Sequence, residues 1–303
     1  MKFRFPALML AFALGLSGCA SAPTLPDHAV DLASADPALW VVKDEDTTIY
    51  LFGTVHVLKP GTLWFDDEVR QAFDTSEKLV LEIIEPDQGE MAGKVAALAL
   101  DPDGPPLSEK LNESARAKYV SAMAQAGIPW QAFERFKPWM AGITLAISPL
   151  GKLGYEANLG AEKTLTATAK SEGKAIGALE TPEQQLGYFN DLPEEQQIAF
   201  LNATVDGLPD VEKDFGELID RWAAGKPEQL AEKMNESLEI TPELAQTLLF
   251  QRNANWAEQI RMMLDTPGTV FIAVGAGHLA GKKSVQDYLK ALGIKAARVE
   301  HPE

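Results

Sequence analysis

The sequence has little cysteine, little positive charge and no long apolar run near its N-terminus. Its single cysteine, Cys19, excludes an intramolecular disulfide. Lysine and arginine total 27 against 44 acidic residues, which gives a formal net charge of −17. So acidic a chain repels phosphate backbones, and nucleic acid is not an expected partner. The apolar run 7–16 is too short for a permanent membrane-spanning helix.

Residues 1–18 have the order of a secretory signal, with positive residues, an apolar segment and then small residues. The ending Leu16-Ser17-Gly18-Cys19 resembles the lipobox of bacterial lipoproteins, in which the cysteine becomes the acylated first residue. Ala20 after it, rather than Asp, resembles lipoproteins sorted to the outer membrane. We therefore expect a periplasm-facing outer-membrane lipoprotein that contacts the membrane through lipid on Cys19. The alternative is an ordinary signal peptide that is cut nearby.

The segment 19–36 is rich in Ala, Ser, Pro and Asp without periodicity, which predicts a flexible tether. No internal linker, repeat or low-complexity segment follows. Residues 37–303 are long enough for one large hydrophobic core. We therefore predict a signal peptide, a tether and a single domain.

The domain begins with β-rich segments, 39–42 and 48–52, on either side of an acidic turn, which predicts a hairpin. The amphipathic stretch 64–73 predicts a helix, and the apolar run 78–84 predicts a buried strand. Strand, helix and strand over this short length predict a βαβ unit with parallel strands.

The C-terminus repeats this order, with a strand at 269–274, a helix at 284–292 and a strand at 294–299. Between the two halves, residues 107–264 are mainly helical, with one predicted strand at 175–179. The predicted helices are 107–126, 138–147, 160–169, 182–189, 194–204, 211–223, 227–238 and 242–264. Helix 138–147 is apolar on all sides and is therefore expected in the core. The predicted fold is α/β: a mixed, partly parallel central sheet built from two βαβ halves, with a large helical insertion between them.

Two of the four histidines end predicted strands in the same local pattern, Gly-x-x-His. His56 follows Gly53, and His278 follows Gly275. In an open α/β sheet the carboxyl ends of the strands form the ligand-binding edge. Glu82 lies inside the apolar run 78–84, where a carboxylate needs a hydrogen bond, an ion pair or a cation. We expect its strand to lie beside the strand that leads to His56, so that all three side chains converge.

These segments together resemble the TraB/GumN family, which includes the Tiki proteins. The resemblance covers almost all of the chain after the tether and includes TTIYLFGTVHVL, LVLEI, GALETPEQQ and VGAGHLAG. It implies that His56, Glu82 and His278 form the site, with Arg252 and Asn253 in support. The chain departs from the family pattern at Lys226 and in the segment 160–162, neither of which is expected to touch the proposed centre.

Two histidines and a carboxylate with open positions suit a hydrolytic divalent metal. Because the Tiki proteins look like metal-dependent peptidases, the resemblance implies that His56, Glu82 and His278 hold Mn²⁺, Co²⁺ or Zn²⁺. The metal would acidify a bound water and polarise a scissile carbonyl. Glu180 is the first candidate for a further acid or base, and Glu85 the second. The expected substrate is a peptide or a small molecule at the cell envelope.

Two other functions fit the same residues. Erythromycin esterases look distantly similar and imply metal-free hydrolysis, in which a histidine activates water and Arg252 steadies the oxyanion. ChaN-type lipoproteins imply haem binding through a histidine.

Several candidate residues also have a purely structural alternative. Arg252 is equally a candidate for a buried ion pair, and Glu180 for a contribution to a helix cap. Trp139 and Trp256 are expected in the core. His28 and His301 need no role.

Overall fold

The computed structural model describes residues 33–238 and 242–300. The predicted signal peptide, Cys19, His28 and His301 lie outside the described residues. The folded part begins earlier than residue 37. Strand β1 (Ala33–Ser34) pairs in parallel with β4 (Thr62–Leu63). The end of the predicted tether therefore packs against the domain.

The central sheet has six strands in mixed orientation, as predicted. They are β2 (Leu39–Lys43), β3 (Thr47–Thr54), β5 (Lys78–Leu81), β6 (Ala175–Ala178), β7 (Gly268–Gly275) and β8 (Ala297–Arg298). Their order across the sheet is β6-β5-β7-β3-β2-β8. The four strands from β6 to β3 are parallel, and β2 is antiparallel to both of its neighbours. The predicted hairpin is the β2–β3 pair.

One expected neighbour relation is wrong. β5 does not lie beside β3, because β7 from the C-terminal half enters between them. The two βαβ halves are therefore interleaved. β5 also ends at Leu81 instead of residue 84, so Glu82 is the first residue after the strand. Backbone hydrogen bonds continue past the end of β5. Leu179 N donates to Leu81 O, and Glu180 N donates to Glu82 O.

The helices cover most of the remaining chain. They are α1 (Asp67–Thr75), α2 (Gln88–Ala99), α3 (Leu107–Lys110), α4 (Glu113–Ala126), α5 (Pro138–Lys152), α6 (Ala161–Ser171), α7 (Pro182–Asn190), α8 (Glu194–Gly207), α9 (Val211–Ala223), α10 (Pro227–Leu238), α11 (Pro242–Ala245), α12 (Gln251–Met263) and α13 (Val285–Ala291). α2 was not predicted, and the predicted helix 107–126 is divided into α3 and α4. A π-helical segment, Gln246–Phe250, joins α11 to α12. No helix in the described parts of the chain is long and apolar enough to cross a membrane.

Both faces of the sheet are covered, as parallel strands require. On one face Phe52 and Phe271 pack with Phe73 of α1. On the other face Leu51 and Ile272 belong to a cluster that includes side chains of α12 and α13. In the predicted range 138–147 of α5 every residue except Thr144 and Ile147 is buried, which confirms the expectation for this apolar helix. The sheet is thus packed on both faces, and the carboxyl ends of β3, β5, β6 and β7 lie at one edge.

Candidate functional site

Polar residues follow the carboxyl ends of three adjacent strands, β6, β5 and β7, at this edge of the sheet. Glu82 follows β5 and Glu180 follows β6, and Glu180 N donates to Glu82 O at 2.8 Å, which places the two residues side by side. Gly275 ends β7, and its N–H donates to Glu82 Oε1 at 2.7 Å. His278 lies in the 3₁₀ turn Ala276–Leu279 that follows. Helix α12 crosses this edge and contributes Arg252.

The guanidinium of Arg252 lies between the two carboxylates and is fully buried. Its Nη2 donates to Glu82 Oε2 at 2.6 Å and to Glu180 Oε2 at 2.9 Å. Its Nε donates to Glu180 Oε1 at 3.0 Å. Its Nη1 donates to the carbonyl of Leu248 at 3.1 Å and lies 3.2 Å from His278 Nε2. Burial lowers the pKa of Arg252, but the two carboxylates outweigh it and raise the pKa above the usual value.

His278 is fully buried and is fixed by a short chain of hydrogen bonds. The amide nitrogen of Asn253 donates to the carbonyl of Lys283 at 2.8 Å, which turns the amide oxygen towards His278 Nδ1 at 2.5 Å. Nδ1 therefore carries the proton, and the lone pair of Nε2 faces Arg252. Burial and the charge of Arg252 hold the pKa of His278 well below its usual value, so the ring is neutral. The ring also packs on Trp256, with centroids 4.3 Å apart.

Glu82 has acceptor contacts on both oxygens. Besides Gly275 and Arg252, it accepts a hydrogen bond from Gln185 Nε2 at 2.7 Å. Its Oε1 lies 3.8 Å from His278 Nε2. Burial raises the pKa of Glu82, and the opposite charge of Arg252 works against that rise. Because Gly275, Arg252 and Gln185 all donate hydrogen bonds to Glu82, the bonding pattern belongs to an ionised carboxylate.

Glu180 is a buried ion-pair partner and takes no part in a helix cap. Trp256 Nε1 donates to its Oε1 at 3.0 Å, and Tyr188 OH donates to the same oxygen at 3.2 Å. The cap of α7 is made by Thr181 with Gln184. Trp256 is in the core, as predicted, and also bonds to the site.

His56 lies apart from this network and has its own carboxylate. Its Nδ1 is 2.6 Å from Glu162 Oε1, and the two side chains are 12% and 16% exposed. Thr54 Oγ1 also donates to this carboxylate. The His56 contact is an ion pair without well-aligned hydrogen-bond geometry, and Nε2 has no hydrogen-bond partner within residues 33–238 and 242–300. Burial lowers the pKa of His56, but Glu162, with smaller contributions from Glu82 and Glu85, outweighs it and raises the pKa.

The expectation that residues 160–162 do not touch the centre is therefore wrong. α6 begins directly against the turn that carries His56, since Ala161 N donates to Val55 O at 3.0 Å. A Cβ on Gly160 would lie 2.3 Å from the carbonyl oxygen of His56, so only glycine allows this approach. This close packing brings Glu162 to the imidazole.

A cavity of ≈ 690 Å³ opens at this edge. His56, Glu82, Glu162 and Gln185 line it, together with the segment 83–87 after β5. The remaining lining side chains come from α6, from the end of β5 and from the first half of β6: Leu81, Lys163, Thr166, Ala167, Lys170 and Ile176. Arg252, Glu180 and His278 do not line it and lie behind Glu82. The predicted site residues thus form two layers: His56 and Glu82 line the cavity, and a buried layer behind them contains Arg252, Glu180 and His278.

The predicted metal ligands do not enclose a common point. Glu82 Oε2 and His278 Nε2 both face the guanidinium of Arg252, and His56 is held by Glu162. In the described parts of the chain no group of three or more His, Cys, Asp or Glu side chains is arranged to hold a metal ion. In this arrangement His56, Glu82 and His278 do not fit a shared metal unless Arg252 moves away.

The supporting glycines have separate structural reasons. A Cβ on Gly53 would lie 3.0 Å from Cα of Ala276, so the two Gly-x-x-His turns pack backbone to backbone. Gly53 also accepts a hydrogen bond from Trp222 Nε1 at 2.7 Å. Gly275 supplies its N–H to Glu82. Glu85 lies at the mouth of the cavity, where it pairs with Lys163.

Sequence reasoning missed three polar residues of the site. Glu162 was seen only as a departure from the family pattern, although its place after Gly160 at a helix start could have indicated a turn contact. Gln185 and Tyr188 face Glu82 and Glu180 from α7, one turn apart. Their spacing could have indicated a polar helix face towards the buried carboxylates.

Comparisons with known proteins agree with the resemblance seen in the sequence. The sequence model of the TraB/PrgY/gumN family matches residues 38–298. "Uncharacterized protein YbaP" of Escherichia coli is 22% identical over 254 residues, which cover 84% of this chain and 92% of the relative. An uncharacterized protein of Treponema pallidum is 22% identical, with 83% and 79% covered. "Metalloprotease TIKI2" of Danio rerio is 27% identical over 91% of this chain and 62% of the relative. No solved structure matches.

Proposed function

Because the chain belongs to the TraB/PrgY/gumN family, we propose that it is a hydrolase whose reaction takes place in the cavity beside His56 and Glu82. The observation that carries the proposal is the His56–Glu162 pair on the wall of this cavity. A carboxylate beside one ring nitrogen orients an imidazole and stabilises its protonated form, while the other nitrogen is left to take a proton. The TIKI2 relative is named as a protease, which agrees with hydrolysis as the class of reaction.

In this proposal His56 is the general base. Its Nε2 takes a proton from a water molecule, the hydroxide adds to the substrate carbonyl, and the imidazolium returns the proton to the leaving group. Glu162 and Glu82 stabilise the imidazolium, since both raise the pKa of His56. Lys170 lines the same cavity, and its positive charge would stabilise an oxyanion there, whereas Lys163 is paired with Glu85. Arg252, predicted to have this role, is enclosed by its ion pairs behind Glu82.

The proposed substrate is a peptide or a small carbonyl compound. The cavity has the volume that small-molecule sites usually have, roughly 300 to 1,000 Å³. Apolar side chains of Ile83, Ile84 and Ile176 line it next to the charged groups, so it suits a ligand with an apolar part beside the scissile bond.

A second candidate is the metal-dependent hydrolysis predicted from the sequence. Two observations favour it: the name of the TIKI2 relative, and the buried His56 Nε2 that lacks a hydrogen-bond partner among the described residues. His56, Glu82 and His278 would hold Mn²⁺, Co²⁺ or Zn²⁺ only after Arg252 leaves Glu82 and His278. Haem binding, the third expectation, stays a prediction that none of the described contacts favours.

The test is hydrolysis by the purified protein of a panel of nitrophenyl esters and fluorogenic peptides, before and after dialysis against EDTA. Acid–base hydrolysis predicts turnover that survives EDTA and disappears in His56→Ala. Metal-dependent hydrolysis predicts turnover that EDTA removes and Mn²⁺, Co²⁺ or Zn²⁺ restores.

The matched control is His301→Ala, which removes a histidine for which no role is predicted. It should retain the wild-type rate. Full activity in folded His56→Ala would overturn both candidates, and a Soret band on added haem without any turnover would favour the third expectation.

We also propose that the protein is an outer-membrane lipoprotein, acylated at Cys19. The support is the lipobox-like sequence that ends at this cysteine. Labelling of cells with radioactive palmitate tests the proposal. Label in the wild type that is lost in Cys19→Ser is the expected result, and label that persists in Cys19→Ser contradicts it.

A further inference from the structure

The buried layer of the site contains a cation that belongs to the protein. The Arg252 guanidinium contacts Glu82, Glu180 and His278 at 2.6 to 3.2 Å. A divalent metal held by Glu82 and His278 would compete with Arg252 for the same carboxylate and the same ring lone pair. One position therefore has two chemically possible occupants.

The orientation of the His278 ring determines which of its nitrogens faces the position occupied by the guanidinium. Asn253 donates to the carbonyl of Lys283, so its oxygen must accept from His278 Nδ1. Lys283, whose backbone is left-handed with φ 58°, is the residue whose carbonyl accepts this bond. The Nε2 lone pair thus points towards the guanidinium, as it would point towards a metal.

Arg252 is held by more than its ion pairs. Its Nη1 donates to the carbonyl of Leu248 within the π-helical segment that precedes α12. Its guanidinium carbon lies 4.7 Å from the ring centre of Trp256 and 5.4 Å from that of Tyr188. Aromatic faces of this kind stabilise a buried cation. A metal that entered would have to displace all of these contacts.

We propose that Arg252 is the resident cation of this site, and that a guanidinium and a divalent metal ion are mutually exclusive partners of Glu82 and His278. In the wild-type chain the guanidinium holds the position. Removing its charge opens a metal site made of Glu82, His278 and Glu180. The inference concerns the buried layer and does not depend on whether the cavity hydrolyses a substrate.

The test is a calorimetric titration of the full chain with Mn²⁺ and with Zn²⁺. Arg252→Met removes the charge and keeps an extended apolar side chain, while the control Arg252→Lys keeps a positive charge. We expect Arg252→Met to bind one ion at least tenfold more tightly than the wild type, and Arg252→Lys to bind as weakly as the wild type. The gain should disappear when Glu82→Gln is added to Arg252→Met.

Two results would overturn the proposal. One is a folded Arg252→Met, checked by circular dichroism, that gains no affinity. The other is stoichiometric binding by the wild type that requires Glu82 and His278 and is unchanged in Arg252→Met.

If Arg252→Met does not fold, a measurement on the wild-type protein tests the same proposal. The Nε–H resonance of a buried, paired arginine is followed by nitrogen-15 NMR during a Zn²⁺ titration. Either no stoichiometric binding, or loss of the Arg252 resonance in step with binding, supports mutual exclusion. Stoichiometric binding at Glu82 and His278 with an unchanged Arg252 resonance contradicts it.

Discussion

The two Gly-x-x-His turns have the same sequence pattern and opposite surroundings. Both follow a central parallel strand, and they pack against each other at Gly53 and Ala276. His56 lines the cavity beside a carboxylate, and its pKa is raised. His278 is fully buried beside a guanidinium, and its pKa is lowered. The pattern thus determines where a histidine lies, and the residues packed around it determine its chemistry.

The largest expected difference between the two histidines is in catalysis. His56→Ala should lower kcat/KM by about 10² to 10⁴-fold, the usual contribution of a general base. The comparison to make is with His56→Gln, which keeps a polar side chain without a basic nitrogen and should lose as much. A rate restored by Gln would contradict a role in proton transfer.

The next effect concerns stability, for which we expect His278 to matter more than His56. His278→Ala should lower the free energy of unfolding by about 2 to 4 kcal/mol, because it leaves a cavity against Trp256 and removes the partner of Asn253. His56→Ala should cost less, since its side chain lies on the cavity wall. Urea unfolding of the two variants measures this difference, and equal losses would show that the two turns are equally embedded.

A smaller effect, on the pH dependence of catalysis, is expected from Glu162. This carboxylate contacts Nδ1 of His56, whereas Nδ1 of His278 faces the amide oxygen of Asn253. Glu162→Gln removes the negative charge beside His56, so the pKa of His56 should fall and the acidic limb of the kcat/KM profile should move to lower pH by about one unit. Glu85→Gln is the matched control, because Glu85 contributes least among the charges that raise this pKa. An acidic limb that does not move in Glu162→Gln would remove the carboxylate from the proposed mechanism.

The smallest effect is the pH dependence of stability. Because the pKa of His278 is lower in the folded chain than in the unfolded chain, protons bind to the unfolded chain first as the pH falls below about 6.5. His278 therefore stabilises the fold above that pH, and this stability is lost on acidification. The raised pKa of His56 acts with the opposite sign, since its stabilisation is present at low pH and is lost as the pH rises.

Urea unfolding at pH 7 and pH 5.5 isolates the contribution of His278. The wild type should lose about 1 kcal/mol more than His278→Gln, whose side chain is neutral at both pH values. Parallel losses in the two proteins would mean that His278 titrates normally in the folded chain.

The sequence was sufficient for the fold class because the pattern of its strands is strong. Apolar runs such as 269–274 are best accommodated in a covered sheet, and several helices begin with proline. The neighbour relation of β5 was mispredicted because a local βαβ pattern contains no information on a strand that enters between its two strands from a distant part of the chain. Helix α2 was missed since Gly89 and Gly93 weaken its signal.

The sequence predicted most of the residues of the site, but not which of them line the cavity and which are buried behind it. A carboxylate in an apolar run and a histidine at a strand end both indicate a partner, and neither identifies it. Arg252 was weighed as an ion-pair partner and as a substrate contact, and its neighbours Glu82 and Glu180 lie more than seventy residues away in the chain. Whether Arg252 forms an ion pair or contacts a substrate depends on how α12 packs on the sheet. No local sequence pattern indicates that packing.

The insertion of β7 between β3 and β5 also has a consequence for how the protein reaches its native state. The centre of the sheet comes from residues near the end of the chain, so a growing polypeptide that has emerged only as far as α12 has two unpaired strand edges. Contacts this distant in sequence slow folding, and open edges favour association with other chains. Until β7 is made, the edges of β3 and β5 that it later joins therefore stay without their strand partner.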